Sequence, residues 1–176
     1  MEKKENNDNT DTNLNEFNIS ALAFSRTEPI LTASIMINLS VVELDLFNRV
    51  NAYRVSNGRS PLLLDSRLQL AAKNHNDLMA FYKTMSHQLP GELPLAAFGT
   101  NNDRYDLVGY NWNYAAENIA RGYTSTASVM AAWISSPGHN ANLLSPNARD
   151  IGVAYNSNGN FWTQNFGNSF GPTQPL

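Results

Sequence analysis

The sequence predicts an α+β domain in which an antiparallel sheet lies between helical layers. Three observations carry this: two capped helical stretches come first, a short strand and more helix follow, and two strand-like runs flanking a tight turn close the chain.

Ser40-Val-Val-Glu43 is a capping-box pattern, the hydroxyl serving a free amide of the first turn and the carboxylate reaching back to the cap. Leu44, Phe47, Val50 and Arg54, with Leu46 and Tyr53 alongside, keep the helical period as far as Asn57-Gly58, where glycine supplies a left-handed end. The first helix is therefore residues 41–56. Asp65 caps a second helix, along which Leu68, Ala71, Ala72, His75, Leu78, Met79 and Tyr82 form one apolar stripe.

Residues 86–109, with their prolines, glycines and the Thr100-Asn101-Asn102-Asp103 cluster, read as a long loop holding a short helix capped by Asp103. Loops of that length inside compact domains are usually functional. Residues 115–120 read as a short strand closed by Gly122. Ser125 caps a third helix through Ala127, Met130, Trp133 and Ile134, and Ser136 with Pro137 opens another through Asn142. The period then switches. Residues 151–155 and 161–166 flank Asn156-Ser-Asn-Gly159, in which Asn158-Gly159 supplies the positive φ angles of a hairpin turn.

With 176 residues, 42% of them hydrophobic, the chain is long enough for one sizeable core and too short for two ordinary domains. The expected organisation is a disordered tether over residues 1–16, an extension over 17–39 that Pro29 interrupts, a domain over 40–170 and a tail over 171–176. A monomer is expected. Twelve basic and fifteen acidic side chains, net charge -3, are spread without long runs, so no footprint for a phosphate backbone is present and nucleic acid is not an expected partner. The chain has no cysteine, which removes disulfides, thiolate metal sites and cysteine nucleophiles.

Residues 6–15 are almost all polar where a signal peptide needs an apolar stretch. Two readings follow, a cytosolic protein or a mature fragment whose signal has been removed, and the second is favoured. The most apolar window, residues 30–46, is broken by Thr32, Ser34, Asn38, Ser40, Glu43 and Asp45, whereas a span needs about 20 mainly apolar residues, so no transmembrane helix is expected.

Four segments resemble the cysteine-rich secretory, antigen 5 and pathogenesis-related (CAP) family over roughly residues 44–167. They are Asn51-Ala-Tyr-Arg54 with Pro61-Leu62, Asp65, Leu68 and Ala72; Ser86-His87; Gly109-Tyr110 with Ala116-Glu117-Asn118-Ile119-Ala120 and Gly122; and Trp133-Ile-Ser-Ser-Pro-Gly-His139-Asn-Ala-Asn142, followed by Asp150-Ile-Gly-Val and Trp162-Thr-Gln-Asn-Phe-Gly167. Each is weak alone, and together they make an accidental likeness improbable. The lack of cysteine is similar to the bacterial members and unlike the disulfide-stapled eukaryotic ones.

The resemblance implies a three-layer α-β-α sandwich with a central antiparallel sheet and a wide cleft lined by two histidines and one or two acidic residues. Carried over by position, the cleft residues are His87, His139 and Glu117. The second acidic residue does not transfer cleanly: Glu92 and Asp103 are the candidates. In several relatives such a cleft binds zinc or another divalent cation, for which His87 and His139 are the expected ligands here. Two imidazoles with solvent completing the sphere hold an ion weakly, and Glu117 is then a third ligand, an orienting partner or a general base.

Blander readings compete. His75, on the apolar stripe, reads as a core or rim histidine; Trp133 and Trp162 read as core; Ser136 and Ser86 read as cap and turn residues rather than nucleophiles. Three functions follow: a non-enzymatic module of the extracellular space or cell envelope binding a metal ion, a lipid or sterol, or a protein; a metal-dependent hydrolase or peptidase with Glu117 as its catalytic residue; and a purely structural surface domain.

Overall fold

The structure, a computed structural model, describes residues 38–89 and 100–176. The expectations for residues 1–16, for 17–37 and for Glu92 lie outside the described residues. Within them, the elements run α1 (Val41–Ser56), β1 (Leu63–Leu64), α2 (Ser66–Tyr82), α3 (Asn101–Leu107), β2 (Trp112–Arg121), α4 (Thr126–Ser135), α5 (Pro137–Leu143), β3 (Asp150–Asn156) and β4 (Phe161–Ser169).

The α+β, α-β-α sandwich expected from the sequence is present. Its sheet is mixed, with strand order β1-β3-β4-β2. β3 and β4 form the expected hairpin and β2 pairs antiparallel to β4, but the two-residue β1, unforeseen in the sequence, joins β3 in parallel. A strand of two residues carries no periodicity to read. The turn also differs in detail: the positive φ angles fall on Gly159 (95°) and Asn160 (50°), one position later than expected.

Strand alternation sorts the side chains into two layers. Ala120, Ile151, Val153, Trp162 and Phe166 face α1, α4 and α5, where Leu46, Val50, Val129, Trp133 and Leu143 meet them. On the other face Ile119 and Phe161 pack under Met79 and Ala80 of α2, while Leu68 and Ala71 of the same helix pack with Tyr105 and Tyr110. Trp133 and Trp162 are core residues, and each indole N–H is satisfied by a carbonyl, Ile119 O at 3.2 Å and Tyr123 O at 2.8 Å.

The capping box at Ser40 and Glu43 and the Asp65 cap are both formed. The apolar stripes need correction. On α1 the buried residues are Leu46, Val50 and Arg54, with Leu44 half exposed; on α2 the buried face takes in Gln69 and Asn76 and leaves Tyr82 in solvent. These polar residues are buried because they bond the sheet. Gln69 Nε2 donates to Val153 O at 2.6 Å and its Oε1 accepts from Val153 N–H at 2.8 Å, standing in for a neighbouring strand beyond the end of β1. Asn76 Nδ2 donates to Phe161 O at 3.1 Å.

Residues 171–174 cross the end of the sheet and are tied there. Gln174 N–H donates to Asp65 Oδ2 at 2.8 Å, Ser66 N–H to Gln174 O at 2.7 Å, and Thr173 Oγ1 to Asp150 Oδ1 at 2.6 Å.

Such close approach of α2 to β3 requires Gly152, since a Cβ there would stand 2.2 Å from the Leu68 backbone carbonyl. Backbone cannot yield as a side chain does, so Gly152→Ala is expected to destabilise by at least about 1–3 kcal/mol, read from the urea midpoint. Gly138→Ala in α5, where an added methyl meets nothing within 4 Å, is expected to be neutral or stabilising by up to about 1 kcal/mol. Equal effects at the two sites would contradict the packing described.

Candidate functional site

The site forms at β2, the edge strand, where the two helical layers come together. Consecutive residues of a strand face opposite layers, and here Glu117 and Asn118 do so. Glu117 faces α2 and α3; Asn118 faces α5.

The Glu117 side chain is only 2% exposed, yet both carboxylate oxygens are bound. Nδ1 of His87, from the segment after α2, lies 2.7 Å from Oε1. Arg104 of α3, itself buried, donates from Nη2 to Oε2, and its Nη1 donates to His87 O at 3.2 Å. Asn165, opposite Glu117 in the β4 register, donates to Oε2 at 2.9 Å with its amide oriented to satisfy both ends, while its oxygen accepts from Ala72 N–H at 3.0 Å. His75 Nε2 lies 3.8 Å from Oε1, and the ring is fully buried, the core position expected of it.

Burial alone would push the Glu117 carboxyl up. The His87 hydrogen bond and the charges of Arg104, His75 and His87 outweigh it and hold the group below the ordinary value. Glu117 is therefore a carboxylate, an acceptor only, so His87 Nδ1 must carry the hydrogen. In the neutral ring that places the lone pair on Nε2, and the His87 side chain is 57% exposed.

From the opposite layer, His139 in α5 is half-buried, its Nδ1 2.9 Å from Ser136 Oγ. Burial and the charge of His87 both push its pKa down, so the ring stays neutral to a lower pH than an exposed imidazole. Its main chain is fixed to the strand, His139 O accepting from Asn118 Nδ2 at 3.2 Å. Asn142 completes the seam by donating to Glu117 O at 3.2 Å and Asn118 Oδ1 at 2.9 Å.

Of the residues singled out in the sequence, the structure joins His87 to Glu117 directly and sets His139 near enough to feel the charge of His87. Asp103 is taken up elsewhere. It stands at the third position of α3 and accepts from Thr100 N–H and Thr100 Oγ1, both at 2.8 Å, so Thr100 rather than Asp103 is the capping residue. Ser136 occupies the N-cap position of α5 but makes no side-chain cap bond; its hydroxyl goes to His139 instead. Ser86 makes the expected turn, its Oγ donating to Gln88 O at 2.7 Å.

Sequence reasoning missed Arg104 and Asn165. Nothing local marks Arg104, which lies in an irregular region on a seven-residue helix. Asn165 carried a usable signal: Thr163-Gln164-Asn165 is polar on both faces of a central strand, and all three residues are fully buried.

Asp150, also fully buried, repeats the logic of Glu117. Burial raises its pKa, but hydrogen bonds from Arg149, Thr173 and Tyr110 bring it below the ordinary value. For both acids the native state binds the proton less tightly than the unfolded chain. Their contribution is complete above the ordinary carboxylate values of 3.8 and 4.5 and is lost as pH falls through the lower folded values. Urea midpoints measured from neutral pH downward should hold to about pH 5 and then decline steadily; a midpoint unchanged at pH 3 would refute the ionised cluster.

The CAP family model, described as the cysteine-rich secretory protein family, matches residues 47–166. The uncharacterized protein YkwD of Bacillus subtilis is 33% identical over 135 residues, 77% of this chain and 50% of that protein. The uncharacterized membrane protein YlbC of the same organism is 27% identical over 124 residues, 70% of this chain and 34% of that protein. The chain thus spans half or less of the length of these curated relatives. Among solved structures, an extracellular protein containing an SCP domain from Bacillus anthracis matches with a TM-score of 0.65 at 27% identity, over 72% of this chain and 40% of that one. An outer surface protein of Borrelia burgdorferi shares the fold with a TM-score of 0.66 at 21% identity, over 76% and 96% of the two chains. With that family match spanning well over half of the chain, the chain belongs to the CAP, or cysteine-rich secretory protein, family.

Proposed function

We propose that this chain is a non-enzymatic binding domain of the extracellular space or cell envelope, whose cleft presents the Nε2 atoms of His87 and His139 to a ligand. The observation that carries the reading is the engagement of Glu117. A general base must be free to take a proton from substrate or water, whereas this carboxylate is buried, held ionised, and bound by Arg104, His87 and Asn165. It acts by orienting His87. The extracellular and outer-surface relatives support the location.

A divalent cation, zinc first, is the ligand chemistry that two neutral imidazoles fit best. Glu117 serves as the carboxylate behind a histidine, the arrangement that fixes the ring and raises its basicity toward a metal. The same engagement removes it as a third ligand, and Arg104 adds a positive charge nearby. Among the described residues no group of three or more His, Cys, Asp or Glu side chains stands together as a cation site. The donor set suits a labile ion whose remaining positions belong to solvent or to a bound partner, and does not suit a structural or catalytic zinc.

Calorimetric titration of zinc at neutral pH tests this. Weak one-to-one binding is expected, abolished by His87→Ala and by His139→Ala and weakened about 10–100-fold by Glu117→Gln, the usual effect of losing an orienting partner. All three variants must first be shown to be folded, since Glu117→Gln leaves Arg104 buried without its counter-charge. Because a protonated imidazole cannot ligate, affinity falls at acid pH. Binding untouched by either histidine variant would overturn the reading, as would chelator-sensitive peptide hydrolysis lost in Glu117→Gln, which would restore the hydrolase.

A further inference from the structure

The end of α2 and the segment just after it leave three large apolar side chains in solvent: Phe81 is 76% exposed, Met85 49% and Tyr82 42%. The rings of Phe81 and Tyr82 meet edge to face with centroids 5.1 Å apart. Met79 and Ala80, just before them, are the last residues of the helix buried against Ile119 and Phe161, so the final turn overhangs the sheet.

Lys83 ends the helix in the left-handed conformation, φ 53° and ψ 30°. Its N–H donates to Ala80 O at 3.3 Å and that of Thr84 to Met79 O at 3.1 Å, the hydrogen bonds of a helix end at which glycine is the ordinary residue. A lysine there is disfavoured sterically, and residues held in such conformations cluster at functional places. Arg121 of β2 reaches the same point: its Nη1 donates to Lys83 O at 2.8 Å and its guanidinium lies 4.9 Å from the Phe161 ring centroid. Both cations are exposed. The acid one turn earlier, Asp77, is paired with Lys73 and accepts from Asn156.

We propose that Phe81, Tyr82 and Met85, with Lys83 and Arg121, form a docking patch for an anionic phospholipid surface. Aromatic side chains with one wet end favour the headgroup level of a bilayer. Long cationic side chains beside apolar ones reach the phosphates while their stems stay in the interface. The two exposed cations supply the charge complementarity that an anionic headgroup layer asks for. Three side chains at one helix end fall far short of the roughly 800 Å² that each partner of a specific protein complex buries. The patch acts independently of the imidazole pair.

Co-sedimentation of the full chain with vesicles of phosphatidylcholine alone, or mixed with phosphatidylglycerol, tests the patch. The chain should pellet with the phosphatidylglycerol vesicles, less so as salt rises. Phe81→Ala and Met85→Ala should each lower the partition several-fold, and Lys83→Glu roughly tenfold. Lys83→Gly is the decisive variant: relief of the left-handed backbone should raise the unfolding midpoint while the lost cation still lowers partition. His87→Ala should leave vesicle binding unchanged, which separates this proposal from the cleft ligand. No binding to anionic vesicles, or binding indifferent to Phe81→Ala and Lys83→Glu, would overturn it. So would a dimer in sedimentation equilibrium that Phe81→Ala dissolves, since the patch would then belong to a second copy.

Discussion

An ionised carboxylate cannot be buried in a protein interior without compensation, since its desolvation costs several kcal/mol even after the surroundings relax. Glu117 meets that demand with Arg104 on one oxygen, His87 on the other and Asn165 across the strand pair. Each partner comes from a different part of the chain: α3, the segment after α2, and β4. The carboxylate therefore fixes where the long connection between α2 and β2 begins and ends. It ties the start of that connection, through His87, and α3, through Arg104, to one atom group on the edge strand. The polar bonds add to this, because Arg104 also holds the His87 carbonyl.

The same strand explains how the two helical layers are joined. An edge strand exposes a row of carbonyls and amides that would otherwise invite another chain. Here β2 gives its outward carbonyls to side chains, Glu117 O to Asn142 and Ile119 O to Trp133. Asn118 then carries the seam to the second layer, bonding Gln164, Asn142 and the His139 carbonyl. His87 hangs from one face of the sheet and His139 from the other, and the alternation of Glu117 and Asn118 along a single strand relates them.

Much of this was legible in the sequence, because it rests on local rules. Helix starts at Ser40 and Asp65 are written in capping residues within a few positions, and the β3–β4 hairpin in the switch of period. The family resemblance singles out His87, His139 and Glu117, and the structure bonds the first of these to the third. What escaped was non-local. Gln69 and Asn76 look like surface residues on a helix until the sheet supplies carbonyls and amides for them. Arg104 looks like any exposed cation until Glu117 arrives from 13 residues away. The motif places Ser136 at a cap position, and tertiary contact directs its hydroxyl to His139.

The two histidines are prepared in different ways, and the difference bears on what the cleft does. His87 is exposed, but its Nδ1 proton is fixed by a carboxylate that cannot donate, which in the neutral ring leaves the lone pair on the outward Nε2. His139 is half-buried beside a neutral hydroxyl, and its pKa is lowered by burial and by the charge of His87. Glu117, by remaining ionised behind His87, stabilises any positive charge that His87 meets at Nε2. A carboxylate so placed would lose that effect if it moved a proton during each event. For this reason its burial and its bond to Arg104 support the proposed binding role over one in which Glu117 shuttles protons.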